Sequence, residues 1–184
     1  MIKSRPVYRP FALDVTGRAH LVITDQPQPP EALDLALANI SLWTVKTIAP
    51  GVPAPAAERC RTFRAVPEMF AFLSHYLSRA SIGLRFYAVG SEPFIWDAYN
   101  IGTGAGLTAA EMFLAQSGPP CRRVYCCHCK TMIDDVKETI AVCPGCGSSL
   151  QVRDHFSRRL AAFMGVKVDA ETPGNIPLPE LLSS

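Results

Sequence analysis

Two pairs of cysteines in the last third of the chain have the residue types and the spacing of a metal site. Cys126 and Cys129 form the first pair, Cys143 and Cys146 form the second, and thirteen residues separate the pairs. Within each pair, one tight turn can direct both thiolates to the same point, and a proline and a glycine suit the second pair to such a turn. The spacing therefore predicts one metal ion held by four cysteines.

The ligand set limits both the metal and its role. Four thiolates select zinc or a single rubredoxin-type iron, because soft sulfur ligands disfavour magnesium and calcium. We favour zinc and keep iron as the alternative. A closed set of four ligands leaves no position for substrate or activated water, so we expect a structural or electron-carrying site and no catalytic residue there.

Two competing interpretations of the cysteines remain open. Cys127 and His128 lie inside the first turn, and either residue could replace one of the four ligands. Alternatively, the cysteines could form a disulfide framework. The odd count of seven cysteines and the lack of a secretory signal at the N-terminus disfavour disulfides.

Length and composition predict a soluble protein with two domains. The chain has 184 residues, of which 48% are hydrophobic, enough for one core and a small appended module. We place the domains at residues 1–118 and 119–184. No apolar run reaches the roughly 20 residues that a membrane span needs, so we expect a cytoplasmic protein. The formal net charge of +2 gives no general attraction to nucleic acid.

The first domain is predicted to be an α/β domain with a small parallel sheet, because strand patterns alternate with helix patterns. Strands are predicted at residues 20–24, 43–48, 60–66 and 84–89. Helices are predicted at residues 30–40, from residue 67, from residue 91 and at residues 108–118. Ligands of such a sheet, if there are any, would lie at the carboxyl ends of its strands.

Sequence details support these helices and argue against a nucleotide loop. In the helix predicted at residues 30–40, one apolar face would comprise Leu33, Leu37 and Ile40. In the helix predicted from residue 67, the inner face would comprise Met69, Leu73, Tyr76, Leu77 and Ala80. Thr108 and Glu111 match a capping box. The glycine cluster at residues 102–106 follows a predicted helix and not a strand, so it predicts a turn between helices. No nucleophile-elbow sequence indicates hydrolytic catalysis.

A C-terminal helix is predicted at residues 152–165, with Asp154 as N-cap. Phe156, Leu160, Phe163 and Met164 would form its apolar stripe. The helix would group four basic side chains into a patch beside the metal module. These side chains are Arg153, His155, Arg158 and Arg159. The patch is either a solvated helix face or a docking surface for a partner. Residues 171–177 are predicted to be an extended tail that lies along a partner.

Several of these segments together resemble the small metal-binding subunit of bacterial dimethylamine monooxygenase. They are residues 4–8, residues 17–21, the two cysteine pairs and residues 152–160. The N-terminal part also resembles a degenerate nicotinamide lobe of a ferredoxin reductase, with residues 86–94 in place of that fold's late strand and turn. It lacks the glycine-rich turn expected after the first strand, which argues against nucleotide binding. The C-terminal part resembles a rubredoxin or zinc-ribbon module.

The resemblance implies a subunit of a multicomponent enzyme. In that enzyme a haem-bearing catalytic subunit demethylates dimethylamine to methylamine and formaldehyde, and a reductase with FMN and a 2Fe–2S cluster supplies electrons from NADPH. The chain itself would serve assembly in the hetero-oligomer through a structural metal. The alternatives are an electron relay through iron, a nucleic-acid-binding zinc ribbon and a self-contained nicotinamide reductase.

Overall fold

The computed structural model describes residues 4–27, 30, 33, 39–45 and 59–182, and the remainder is left undescribed. The chain divides into two compact units. One spans Tyr8–Gly118, and the other comprises Pro119–Ser184 together with the N-terminal residues up to Val7. The proposal that residues 1–118 and 119–184 are separate domains stays a prediction.

The larger unit is built on a five-stranded sheet with two helices, and its sheet is parallel throughout. The strand order is β3-β2-β1-β4-β5. In chain order the elements are β1 (Ala19–Thr24), β2 (Ile40–Val45), β3 (Cys60–Phe63), α1 (Val66–Leu77), β4 (Leu84–Gly90), α2 (Glu92–Gly104) and β5 (Met112–Gln116). The predicted mixed α/β class with a parallel sheet is confirmed.

The central strands β1 and β4 are buried along most of their length, as continuous apolar runs in a parallel sheet should be. Helix α1 buries Met69, Leu73 and Leu77, which are three of the five residues predicted for its inner face. Tyr76 is half-buried with its ring edge-on to Trp43. Ala80 is exposed because the helix ends before it.

The predicted helix at residues 108–118 is wrong, because this segment forms a turn and then β5. The Glu111 carboxylate accepts hydrogen bonds from both the backbone N–H and the hydroxyl of Thr108. The first of these bonds is half of a capping box, but in the other half the threonine hydroxyl would accept the glutamate N–H, whereas here it donates. The Glu111 carbonyl accepts the N–H of Phe86, so pairing with β4 takes this segment into the sheet.

Two other sequence expectations change in this unit. Gly102 and Gly104 belong to the last turn of α2, and the chain then leads to a strand and not to another helix. Most of the predicted helix at residues 30–40 lies outside the described residues, but Ile40 begins β2. The last part of the strand predicted at residues 43–48 also lies outside them.

The smaller unit contains a mixed five-stranded sheet with the order β7-β6-β10-β9-β8. Strands β6 and β10 are parallel, and the other neighbours are antiparallel. The strands are β6 (Arg122–Cys126), β7 (Met132–Val136), β8 (Ile140–Val142), β9 (Ser149–Ser157) and β10 (Ala162–Lys167). The hairpins β6–β7 and β8–β9 each carry one of the cysteine pairs at their turn.

The predicted C-terminal helix at residues 152–165 is wrong, because the segment is the antiparallel hairpin of β9 and β10. Phe156 and Phe163 are directly paired across the hairpin, with ring centroids 4.9 Å apart. Asp154 is not an N-cap. It forms an ion pair with the buried Arg122 at 3.1 Å, and this charge interrupts the alternation of apolar residues that would have indicated a strand.

The last described residues, beyond the predicted tail at residues 171–177, contact their own unit, and the expectation that the tail lies along a partner stays a prediction. The Thr139 N–H donates to the Glu180 carbonyl, and the Leu182 N–H donates to the Lys137 carbonyl. Leu182 is buried, whereas Leu181 is exposed. In the described part of the chain, no helix combines the length and the apolar character required to cross a membrane.

Candidate metal centre

The first cysteine pair lies in the turn between β6 and β7. Cys126 ends β6, its N–H donates to the Thr131 carbonyl at 3.0 Å, and its carbonyl accepts the Lys130 N–H at 2.9 Å. Lys130 has a φ of 68°, which places it in the left-handed region. This reversal brings the Cys129 side chain back toward Cys126 within one turn.

The second pair repeats this backbone pattern in the turn between β8 and β9. The Cys143 N–H donates to the Ser148 carbonyl at 2.9 Å, and its carbonyl accepts the Gly147 N–H at 2.8 Å. Gly147 has a φ of 71°, at the same position after its cysteine pair as Lys130. A glycine makes this conformation easier here, because it lacks the Cβ that strains left-handed residues.

The four cysteine sulfur atoms lie within 4.8 Å of one another. The Sγ atoms of Cys126 and Cys146 are 3.9 Å apart, and those of Cys129 and Cys143 are 3.5 Å apart. A tetrahedron with metal–sulfur bonds of about 2.3 Å has sulfur–sulfur edges of about 3.8 Å. The measured separations fit that geometry, and the four residues could hold one metal ion.

Hydrogen bonds and burial act in opposite directions on these thiols. The Ser148 hydroxyl and backbone N–H lower the pKa of Cys146 to about 5. The hydrogen bond between the Cys129 sulfur and the Thr131 hydroxyl lowers the pKa of Cys129. Burial raises the pKa of the Cys143 thiol to about 11. A thiolate at Cys143 would be unfavourable without a cation, so the cluster has the chemistry of a site that a metal ion would stabilise.

Gly145 is packed tightly beside the sulfur atoms. A Cβ on this residue would overlap the Thr131 hydroxyl and would lie 3.2 Å from the Cys129 sulfur. The second turn therefore lies directly against the side chains of the first turn. This contact explains why a glycine precedes Cys146, a reason that the sequence alone did not give.

The alternative ligands Cys127 and His128 are outside the cluster of ligand atoms found among the described residues. The Cys127 N–H donates to the Gly165 carbonyl of β10. A hydrogen bond from the His128 side chain contributes to the low pKa of Cys146. All seven cysteines are free thiols, so the structure contains none of the disulfides of the competing interpretation.

The four basic residues predicted to form a docking patch lie on the β9–β10 hairpin. Arg153 and His155 are two residues apart on β9, and Arg158 and Arg159 lie in the turn that follows. The Arg153 guanidinium donates to the Gln151 side-chain oxygen at 2.9 Å. The four residues therefore share one hairpin, but they do not form a helix face.

The most buried basic residue of this unit is Arg122, which was not among the predicted site residues. The Arg122 side chain is 7% exposed, and its guanidinium carbon lies 4.2 Å from the Phe163 ring centroid. Its ion pair with Asp154 joins β6 to β9 across β10. The alternation of Arg122, Val124 and Cys126 on one face of β6 was the available signal, since all three are buried.

The parallel sheet of the larger unit has its switch point between β1 and β4, where nucleotide-binding sheets of this order accept their ligands. Asp25 follows β1, and its carboxylate accepts the Ser91 N–H at 3.1 Å and the Ser91 hydroxyl at 2.5 Å. Ser91 is the N-cap residue of α2. A carboxylate of the chain thus occupies the helix N-terminus, where a ligand phosphate would bind in such folds.

These features define a modular α/β protein with a four-cysteine centre in its β-rich unit. Residues 44–112 match the family model described as the N-terminal domain of dimethylamine monooxygenase subunit DmmA-like, and residues 123–166 match the model of its C-terminal domain. Between them the two matches cover more than half of the chain. The chain belongs to this DmmA-like family, as the resemblance in its sequence predicted.

A curated relative gives a second, independent comparison. The chain is 39% identical over 111 residues to the heme-dependent oxidative N-demethylase delta subunit of Ectopseudomonas mendocina (strain ymp). The match covers 60% of this chain and 63% of the relative. No solved structure matches the chain.

Proposed function

We propose that this chain is a subunit of a haem-dependent oxidative N-demethylase and that it helps to assemble the complex. Membership of the DmmA-like family and the similarity to a delta subunit support this role. The substrate would be dimethylamine, which with O2, NADPH and a proton gives methylamine, formaldehyde, NADP+ and water. The partners would be a haem-bearing subunit and a reductase with FMN and a 2Fe–2S cluster.

The observation that carries the assembly role is the closed cluster of four sulfur atoms. Cys126, Cys129, Cys143 and Cys146 would hold zinc, and no ligand position would remain for a substrate. The ion would fix two hairpin turns that are separate in sequence. Because small metal modules gain folding free energy from their ion, the smaller unit should depend on it. The chain would perform this role in the cytoplasm.

An electron relay through iron is the second candidate. Cys129 and Cys146 are half-buried, whereas Cys126 and Cys143 are fully buried, so the cluster has an edge toward the surface. Sulfur ligands bind iron as well as zinc, and the sulfur separations suit either ion. Metal content and visible absorption of the purified chain distinguish the two. We expect a colourless zinc protein, and a coloured protein that bleaches on reduction would favour the relay.

The proposal also assigns a fold type to each of the two units. The larger unit would be a degenerate nicotinamide lobe, because a carboxylate takes the place of a ligand phosphate at its switch point. The smaller unit would be a module of the rubredoxin or zinc-ribbon type. Titration with NADPH tests the first point. We expect no saturable binding by the isolated chain.

The basic residues of the β9–β10 hairpin would dock the chain on an acidic surface of another subunit. Arg158 and Arg159 lie at the turn, where arginines can pair with carboxylates through two parallel hydrogen bonds. Arg153 and His155 would extend this contact along β9. Replacing both Arg158 and Arg159 by Ala should weaken assembly about tenfold or more, which corresponds to about 1.4 kcal/mol. Unchanged affinity across a salt series would contradict this role.

One experiment tests the proposed function as a whole. The tagged chain is co-expressed with the other subunits of the demethylase and purified by its tag, and its metal content is measured separately. We expect the haem-bearing subunit to co-purify and the chain alone to contain one metal ion. If the tagged chain retains none of the other subunits, the proposed function is contradicted, whatever the metal content.

A further inference from the structure

A second basic surface lies in the larger unit, along the exposed side of α1. Arg18, Arg61, Arg79 and His75 line two adjoining grooves of about 600 and about 540 Å³. The grooves share Phe72 and His75, so they form one continuous surface, which we call the α1 groove. All four basic residues are exposed.

The charge of the α1 groove is unbalanced. Among the residues that line it, the sole carboxylate is that of Glu68, which accepts the backbone N–H of Arg64 at 2.9 Å. Within the part of the chain that the structure describes, no carboxylate forms an ion pair with Arg18, Arg61 or Arg79. Unpaired arginines at this density are characteristic of surfaces that receive carboxylates.

Aromatic side chains hold one of these arginines in place. The Arg61 guanidinium carbon lies 4.0 Å from the Phe72 ring centroid and 6.0 Å from that of Phe63. The Trp43 ring supports both phenylalanines, with centroids 5.3 Å from Phe72 and 5.5 Å from Phe63. Stacking restricts the planar guanidinium while leaving its N–H donors available at the edge, so less entropy is lost when a carboxylate binds.

The groove also exposes apolar surface beside its charges. Phe72 is 36% exposed and Ile82 is 95% exposed, and both line the larger groove. Apolar residues flanked by arginines match the composition of protein interfaces, which are enriched in aromatic residues and arginine. Phosphate backbones are instead bound by strongly basic surfaces on basic domains, whereas this chain has a formal net charge of +2.

We propose that the α1 groove binds an acidic segment of another subunit of the demethylase, one with carboxylates beside apolar side chains. Arg18, Arg61 and Arg79 pair with its carboxylates, and Phe72 and Ile82 contact its apolar residues. The identity of the partner rests on the proposed function, but the chemistry of the groove does not. This surface is additional to the basic residues of the β9–β10 hairpin, which belong to the other unit.

Charge reversal at one end of the groove tests the proposal. The other subunits are purified as a complex without this chain, and their affinity for the wild type, for Arg79→Glu and for Arg9→Glu is measured over a salt series. Arg9 is an exposed arginine of the same unit outside the groove, so it is a matched control. We expect Arg79→Glu to weaken binding at low salt by about tenfold or more, and Arg9→Glu to change it less than about twofold.

A photo-crosslinking amino acid in place of Ile82 identifies what covers the groove. We expect the crosslinked peptide to come from an acidic segment of another subunit. If the wild type binds, and Arg79→Glu and Arg9→Glu change its affinity equally, the groove proposal alone is overturned. Absence of wild-type binding would overturn the proposed function and, with it, this partner. Binding of labelled single-stranded DNA that Arg79→Glu abolishes, with subunit binding unchanged, would assign the groove to nucleic acid instead.

Discussion

The contact between the two cysteine turns gives the sharpest test of the metal centre. In Gly145→Ala, the new methyl group would overlap the Thr131 hydroxyl. Either this hydroxyl or the second turn must then move by on the order of 1 Å to restore normal contact. Movement of the hydroxyl would break its hydrogen bond to the Cys129 sulfur, which is 3.1 Å away. We therefore expect the substitution to weaken metal binding while all four ligands remain.

The size of the effect follows from the hydrogen bond that is lost. A hydrogen bond to a charged acceptor contributes about 1.5–3 kcal/mol, which corresponds to roughly 10- to 150-fold in affinity. Loss of partners that orient metal ligands typically costs about 10- to 100-fold. Gly145→Ala and Thr131→Ala should each fall in this range. The double variant should be only slightly weaker than Thr131→Ala, because removal of the hydroxyl removes the closest overlap and leaves contacts of 3.1 Å to Thr131 Cβ and 3.2 Å to the Cys129 sulfur.

Competition with a chromogenic zinc chelator measures these affinities. Gly147→Ala provides the control, because a Cβ at that residue meets no atom within 4 Å. The substitution strains only the left-handed backbone of that residue, at a cost of about 1–2 kcal/mol. Additive losses in the double variant would refute the reasoning, because the two residues would then act independently. Wild-type affinity in Gly145→Ala would show that the turns can separate freely.

Three further predictions concern the two units. The hydrogen bond with the Arg85 guanidinium and, to a smaller extent, those with Thr16 lower the pKa of Asp14 from its ordinary 3.8 to about 2. The ionised Asp14 therefore stabilises the fold above pH about 4, and this stabilisation is lost as the pH falls toward 2. Acid unfolding of Asp14→Asn should show a smaller pH dependence over this interval. Asp154→Ala leaves Arg122 buried without its carboxylate and should lower the free energy of unfolding by about 1–3 kcal/mol, discounted because Asp154 is about a third exposed. Gly165→Ala places a methyl group 2.6 Å from Val124 Cγ1 and should cost about 1–3 kcal/mol through overpacking.

Each of these predictions has an outcome that contradicts it. Identical acid unfolding of Asp14→Asn and the wild type would show that the ion pair with Arg85 is not formed in solution. Denaturant unfolding measures the other two, and Asp134→Ala is the matched control for Asp154→Ala. Asp134 pairs with Arg123 at 2.6 Å but is 67% exposed, so its loss should cost under about 1 kcal/mol. Equal losses in the two aspartate variants would contradict the importance of burial, and a fully stable Gly165→Ala would mean that the sheet has room at Val124.

Local patterns in the sequence predicted the parallel sheet and the grouping of the four cysteines. The signals for the sheet depend on neighbours along the chain. They are continuous apolar runs such as Leu21–Ile23, turn residues after them, and helix starts such as the one at Pro67. The cysteine spacing is equally local, because each pair needs one turn. The sequence alone therefore indicated which residues could meet at a metal ion and which class of fold precedes them.

Only the tertiary structure decided the secondary structure of residues 108–118 and 152–165. The Glu111 carboxylate accepts the Thr108 N–H, as in a capping box, yet hydrogen bonds with β4 convert the following residues into a strand. Asp154 is a good helix start by its type, but it faces the buried Arg122, a residue more than thirty positions earlier. Partners that are distant in sequence supply the free energy that overrides local propensity, and no short window of the chain contains them. The same holds for Gly145, whose lack of a side chain is explained by Thr131 in the other turn.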